Sequence, residues 1–152
     1  TKADTSSVTA VQQEVAAARE ANCLVKLAGP IVTTTDNAAM NFDLSQVDMT
    51  KIAALFVVFS ISASSGTASV SANDSVVSTI CSNNNSTSAG IVWLMPLNDT
   101  IGAFSTYATT RSNASTMSNG ANTSVAWTAL TKVTISGTSY SGATATLFAV
   151  KK

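Results

Sequence analysis

The first 22 residues carry apolar side chains at helical spacing. These side chains recur every three or four residues and so share one face of a helix: Val8, Val11, Val15 and Ala18. The stripe is narrow and its side chains are small, so a helix of about fourteen residues is only marginally stable alone in water. The pattern therefore predicts an N-terminal helical arm, residues 1–22, that rests on another surface.

Beyond residue 22 the pattern becomes extended, and turn residues arrive at short intervals. We predict strands at residues 23–27, 31–35, 38–44, 52–62, 67–71, 76–81, 90–97, 101–109, 124–129, 132–136 and 143–150. Many short strands at this spacing are typical of an antiparallel β-sandwich or jelly roll, which would occupy residues 23–152. The last two strands alternate and flank a short glycine-bounded loop, so we expect them to form a hairpin.

Two of these strands are apolar on both faces. Alternate residues of a strand point to opposite faces, and in residues 52–61 and 90–97 both sets are apolar. Each sheet of a sandwich has one inner face, so a second apolar face needs another cover. We expect the arm helix or a neighbouring subunit to supply it, with burial under loops as the alternative. The residues assigned to this interface or to the core are Leu55, Val57, Phe59, Val92 and Leu94.

Charge is scarce in this chain. Only 11% of residues are charged, against about 25% in an ordinary soluble domain, and Ser and Thr make up about three residues in ten. Eight basic and eight acidic residues cancel, which leaves little electrostatic protection against self-association. Because no cluster of Lys and Arg exists to displace counterions, the sequence argues against a nucleic-acid partner. It favours a permanently assembled or extracellular protein.

The residue types needed for common enzyme chemistry are missing. The chain has no histidine, which removes the usual catalytic triads, histidine-ligated metals and the neutral-pH proton carrier. The acids Asp36, Asp43 and Asp48 suggest a loose cation site with the amides at residues 37 and 41, but their spacing fits no EF-hand, and solvated turn residues are the favoured interpretation. We expect no enzyme activity, no cofactor and no metal.

Two further features narrow the class. Cys23 and Cys81 lie far apart in sequence, so they form either one disulfide or two small buried side chains, the second being the commoner case. The most apolar run, residues 52–61, is about half the ~20 residues that a helical membrane span requires. We expect no membrane partner.

Exposed aromatic rings are the alternative route to a function. Trp93, Tyr107, Trp127 and Tyr140 suggest an extracellular carbohydrate-binding or adhesive sandwich module, in which rings stack on sugar faces. Trp93 lies in an apolar strand and Trp127 in a run of Val and Ala, so core packing is the favoured position for both.

The chain resembles small structural proteins of tailed bacteriophage virions, above all capsid decoration or cement proteins. The resemblance is carried by the arm SSVTAVQQEVAAAREAN, by the Ser/Thr/Ala-rich sandwich, and by the closing segment KVTISGTSYSGATATLFAVKK. It implies a homo-oligomer, often a trimer, on the capsid exterior, bound to the major capsid protein or another virion protein. It also implies that Val8, Val11, Val15 and Ala18 form the contact stripe of an arm that reaches a neighbouring subunit.

Overall fold

A computed structural model describes residues 5–21, 23–34, 38–63, 67–81, 86–109, 115–119, 124–138 and 140–152. It confirms a mainly β protein with one short N-terminal helix. The helix is α1 (Thr5–Ala21), and the strands are β1 (Leu24–Thr33), β2 (Met40–Asp43), β3 (Ile52–Ala63), β4 (Ala68–Ala72), β5 (Ser75–Cys81), β6 (Ser86–Leu97), β7 (Thr100–Thr109), β8 (Ser115–Asn119), β9 (Lys132–Gly137) and β10 (Tyr140–Lys151). Short 3₁₀ turns occupy Met49–Lys51 and Trp127–Ala129.

The strands form two antiparallel sheets arranged as a β-sandwich. The six-stranded sheet has the order β1-β10-β3-β6-β7-β8, and the four-stranded sheet has the order β2-β9-β4-β5. Their inner faces share one core, whose largest fully buried side chains are Met40, Phe42, Leu44, Leu55, Ile61, Ile80, Leu94, Ile101, Leu130, Ile135 and Leu147. A buried hydrogen bond of 2.9 Å from the Ser78 hydroxyl to the Ser105 hydroxyl joins β5 to β7 across this core.

Two tight turns have the chemistry that hairpins demand. Asn73 and Asp74 join β4 to β5, and Asn98 and Asp99 join β6 to β7; all four residues have positive φ, between 43° and 69°. Two successive left-handed residues define the type I′ turn, and Asn and Asp tolerate this conformation better than other residues with a side chain. These pairs therefore fix the register of both hairpins.

The predicted hairpin of the last two strands is wrong. β9 pairs with β2 and β4 in one sheet, whereas β10 pairs with β1 and β3 in the other. Both edges of each strand are already occupied, so the chain crosses between the sheets after Gly137. The alternating pattern of each strand identified its inner face, but this pattern carries no information on the neighbouring strand.

Three other predicted strands need correction. Residues 124–129 hold a 3₁₀ turn and one isolated bridge at Ala126 in place of a strand, because Trp127 enters the core through the turn. The predicted strands 23–27 and 31–35 are one strand, β1, interrupted by bulges around Gly29. A strand that the pattern did not predict, β8, lies at the edge of the six-stranded sheet.

Candidate assembly surface

A row of aromatic side chains crosses the outer face of the six-stranded sheet. In the observed register Phe148 lies opposite Phe56, Phe56 opposite Trp93, and Trp93 opposite Phe104. Residues directly opposite each other in antiparallel strands point to the same face, so the four rings align across β10, β3, β6 and β7. We call these four residues the aromatic row. Lys26 of β1 lies opposite Phe148 and ends the row.

Three rings of the row, those of Phe148, Phe56 and Trp93, are in contact. The ring centroids of Phe56 and Trp93 are 4.6 Å apart with the planes tilted by 36°, and those of Phe56 and Phe148 are 5.0 Å apart with nearly parallel planes. Aromatic pairs at this separation stabilise each other by about 0.5–1.5 kcal/mol beyond the burial of their area. The faces of these three rings are therefore turned toward neighbouring rings, and all four residues of the row are half-buried.

Aliphatic side chains extend the row along the strands in both directions. On one side Val58 pairs with Ile91. On the other Val150 pairs with Ala54, and Met95 follows Trp93 by two positions on the same face of β6. Val58 is 39% exposed and Met95 is 40% exposed. We call the aromatic row together with these five residues the aromatic face. A contiguous apolar surface of this kind is typical of an interaction site on a folded protein.

The arm presents a second uncovered apolar surface. Val8, Val11 and Val15 of α1 are exposed by 43%, 58% and 47%, and Glu14 beside them is exposed. The side chain of Ala18, the fourth residue of the predicted stripe, lies outside the described part of the chain. In the single chain the three valines thus face solvent. An apolar helix stripe is normally packed against another surface.

The residues that the sequence assigned to an interface or to the core lie in the core. All five are no more than 3% exposed, and they fill the space between the two sheets: Leu55, Val57, Phe59, Val92 and Leu94. The outward side chains of the same strands make the aromatic face instead. Sequence reasoning recognised the second apolar face of β3 and β6, but it did not find Phe104 and Phe148, which lie opposite Trp93 and Phe56 in the neighbouring strands.

A polar depression of about 380 Å³ lies at the start of β9, lined by Asn41, Asp43, Ser45, Asn73, Asp74, Thr131 and Lys132. The Lys132 ammonium pairs with the Asp74 carboxylate at 2.7 Å. The Asn73 side chain accepts from the backbone N–H groups of Thr131 and Lys132, each at 3.0 Å. These polar groups are engaged in holding the fold together, so they do not present a preformed ligand site.

The acidic residues proposed as cation ligands are likewise held by their own turns. The Ser45 backbone N–H donates to Asp43 at 2.8 Å and lowers the pKa of that carboxyl. The Thr50 hydroxyl and then its backbone N–H lower the pKa of Asp48. Residues 36–37 lie outside the described part of the chain. Among the described residues, no three His, Cys, Asp or Glu side chains come together as a metal site.

Trp127 and Cys23 occupy different environments. Trp127 is only 3% exposed, and its indole N–H donates to the backbone carbonyls of Met49 and Ile52, each at 3.2 Å. This confirms the core position expected of that ring, whereas Trp93 lies on the outer face. Cys23 is an exposed free thiol at the start of β1, and the side chain of Cys81 lies outside the described residues.

The chain matches no protein-family model and no curated protein. Within the described part of the chain, α1 is too short and too polar to cross a bilayer, and no other helix meets that requirement either. The features that bear on function are therefore the aromatic face and the valine stripe of the arm.

Proposed function

We propose that this protein is a non-enzymatic structural subunit of a virion, a capsid decoration or cement protein that binds the outer shell as an oligomer. The observation that carries the proposal is the uncovered aromatic face. Proteins that act as monomers rarely carry a contiguous apolar surface on the outer face of a sheet, and such a surface usually marks an interaction site.

The composition of the surface supports assembly over chemistry. The aromatic face contains no charged side chain, and its one polar side-chain group is the indole N–H of Trp93. Covering the face therefore desolvates no charged group and removes apolar area from water at about 25 cal/mol per Å². The zero net charge of the chain adds no long-range repulsion between neighbouring copies. The resemblance of the arm and the Ser/Thr/Ala-rich sandwich to capsid decoration proteins directs this assembly function to a virion.

Carbohydrate binding is the weaker proposal. A sugar platform needs ring faces open to solvent and polar side chains around them. Here the Phe56 ring is stacked on Phe148 and tilted against Trp93, and Val58 and Met95 flank the row. Two other candidate rings, Tyr107 and Trp127, are buried, and the side chain of Tyr140 lies outside the described residues. A glycan array probed with the full chain tests this alternative, which predicts a signal that Trp93→Ala removes.

The test of the proposed function is binding to particles of the source virus that lack this protein. We expect the full chain to co-sediment with them at a fixed ratio to the capsid protein and to raise the temperature at which the shell opens. Native mass spectrometry of the free protein should show a defined oligomer. A monodisperse monomer that stays in the supernatant when the particles sediment contradicts the proposal.

A matched pair of variants locates the binding surface. Val58→Lys places a charge on the aromatic face, whereas Val76→Lys places the same charge on an exposed valine of β5, in the other sheet. Both changes are at solvent-accessible strand positions, so both chains should fold. We expect Val58→Lys to abolish oligomer formation or particle binding and Val76→Lys to retain both.

A further inference from the structure

We propose that the α1 helix of one copy docks on the aromatic face of a second copy. The inference rests on the proposed function as an assembling subunit and names the two surfaces that meet. Each chain carries both halves of a helix-on-sheet contact: a valine stripe on α1 and an apolar outer face on the six-stranded sheet. The three valines of the stripe are exposed in the single chain. On the face, Val58 and Met95 are exposed and the four rings are half-buried.

The two surfaces match in size. The aromatic row crosses four adjacent strands, which spans about 14 Å at the usual strand separation. From Ala54 to Val58 the face extends about 13 Å along β3 at the usual rise per residue. The helix axis rises about 15 Å from Val8 to Ala18. One arm is therefore long enough to cover the face, and the small side chains of its stripe allow the helix backbone to approach the rings.

The charges at the borders of the two surfaces are opposite. Glu14 follows Val11 by three residues and thus flanks the stripe on the helix. Lys26 ends the aromatic row on β1. Both side chains are exposed in the single chain, so a docked arm can bring the Glu14 carboxylate to the Lys26 ammonium of the next copy without the cost of burying an unpaired charge.

The helix that docks on the aromatic face comes from another copy, because α1 does not cover the aromatic face of its own chain. Val11 is 58% exposed while Val58 and Met95 on the aromatic face are about 40% exposed. A stripe that covered its own sheet would remove both sets from solvent. The free arm and the free face are instead available to different copies.

Disulfide trapping between two populations of the full chain tests this contact. Both native cysteines are first replaced by Ala; one population then carries Val11→Cys and the other, with a mass tag, carries Val58→Cys. Mild oxidation of the mixture should yield a tagged–untagged dimer. The matched control replaces Val58→Cys by Val76→Cys in the second population and should yield at least about ten-fold less of that dimer, since random collisions treat two exposed thiols alike.

Charge exchange gives an independent measure. We expect Glu14→Lys or Lys26→Glu alone to weaken self-association by about two- to five-fold, as for an exposed ion pair. The double variant should recover most of the loss. Loss without recovery would mean that the two residues do not meet, and the charge match would be overturned.

The remaining outcomes separate this inference from the proposed function. If a chain carrying both Val11→Cys and Val58→Cys forms its disulfide within one monomer, the arm covers its own face and the inference is wrong. If Val58→Lys abolishes the oligomer but Val11→Asp does not, the face binds something other than the arm, and the inference fails while the assembly function stands. A protein that neither self-associates nor binds particles fails both.

Discussion

Asn73 connects the turn between β4 and β5 to the start of β9. Its side-chain amide donates to the Ala129 carbonyl at 2.8 Å, and its side-chain oxygen accepts from the Thr131 and Lys132 backbone N–H groups. Its own backbone N–H donates to the Lys132 carbonyl at 3.0 Å. One polar side chain thus satisfies backbone groups that no strand pairing reaches.

Asn73→Ala should lower the free energy of unfolding by about 2–4 kcal/mol, because it leaves these backbone groups unpaired and places Ala in a left-handed conformation. The control is Asp74→Ala in the same turn, where φ is also positive but the side chain makes only an exposed ion pair with Lys132. This variant should lose about 1 kcal/mol. Urea unfolding of both variants measures the difference, and equal losses would refute the role of the Asn73 side chain.

The carboxylates of Asp43 and Asp48 make the free energy of unfolding depend on pH in the acidic range. Hydrogen bonds from Thr50 and Ser45 lower the pKa values of Asp48 and Asp43 in the folded chain. A lowered folded-state pKa contributes stability that is present above the unfolded-state pKa, about 3.9, and is lost as the pH falls through the folded-state value. We expect the melting temperature to decline below about pH 4 and expect Asp48→Asn to reduce the slope of that decline. An unchanged slope in melting curves between pH 5 and pH 2.5 would contradict this assignment.

At the scale of elements, the close approach of β6 and β7 depends on Gly90. A Cβ atom added there would lie 2.2 Å from the Thr106 carbonyl oxygen and 2.6 Å from the Tyr107 Cβ. At Gly102, on the neighbouring strand, an added Cβ would lie 3.2 Å and 3.3 Å from two carbon atoms of the Leu97 side chain. The next atom, the Met95 carbonyl oxygen, is 3.8 Å away, which is an ordinary van der Waals distance. Of these two positions, only residue 90 has to be glycine because of the backbone of the opposite strand.

Gly90→Ala should therefore destabilise the protein by about 3 kcal/mol or more, since the backbone of β7 must move. Gly102→Ala should change the free energy of unfolding by less than about 1 kcal/mol, because the Leu97 side chain is half-exposed and can adjust. Thermal and urea unfolding of the two variants give the comparison. Similar losses at both glycines would show that strand spacing does not depend on Gly90.

The elements also show what sequence patterns can reach. Alternation located most strands and correctly separated the two faces of β3 and β6, because side-chain direction is a local property of a strand. Pairing is not local: Phe56 and Phe148 are stacked although 92 positions separate them in the sequence. The aromatic row exists only once four strands are in register, so Phe104 and Phe148 gave no signal by themselves. For the same reason the pattern predicts one hairpin from residues 132–136 and 143–150, whereas the two strands found there belong to different sheets.

At the scale of the whole molecule, the order of the arm should depend on assembly. A helix of 17 residues with a narrow valine stripe is marginal in water, and docking on the aromatic face would supply the missing stabilisation. Dilution below the dissociation constant should reduce the ellipticity at 222 nm. The fluorescence of the buried Trp127 should stay constant when it is read in a Trp93→Phe chain, where no second tryptophan emits. A helical signal that is independent of concentration, in a protein that does dissociate, would show that the arm needs no partner.

The separate positions of arm and face also give the contact between copies a direction. In the proposed contact two different surfaces of the chain meet, so every open assembly would end with one unused arm and one unused face. Copies would continue to add until the arm of the last copy docks on the aromatic face of the first. Only a closed ring has no unused arm and no unused face. A closed trimer would be such a ring, whereas a linear chain of copies would always carry an unused arm at one end and an unused face at the other. Closure, rather than affinity alone, would then limit how many copies stand together on a shell.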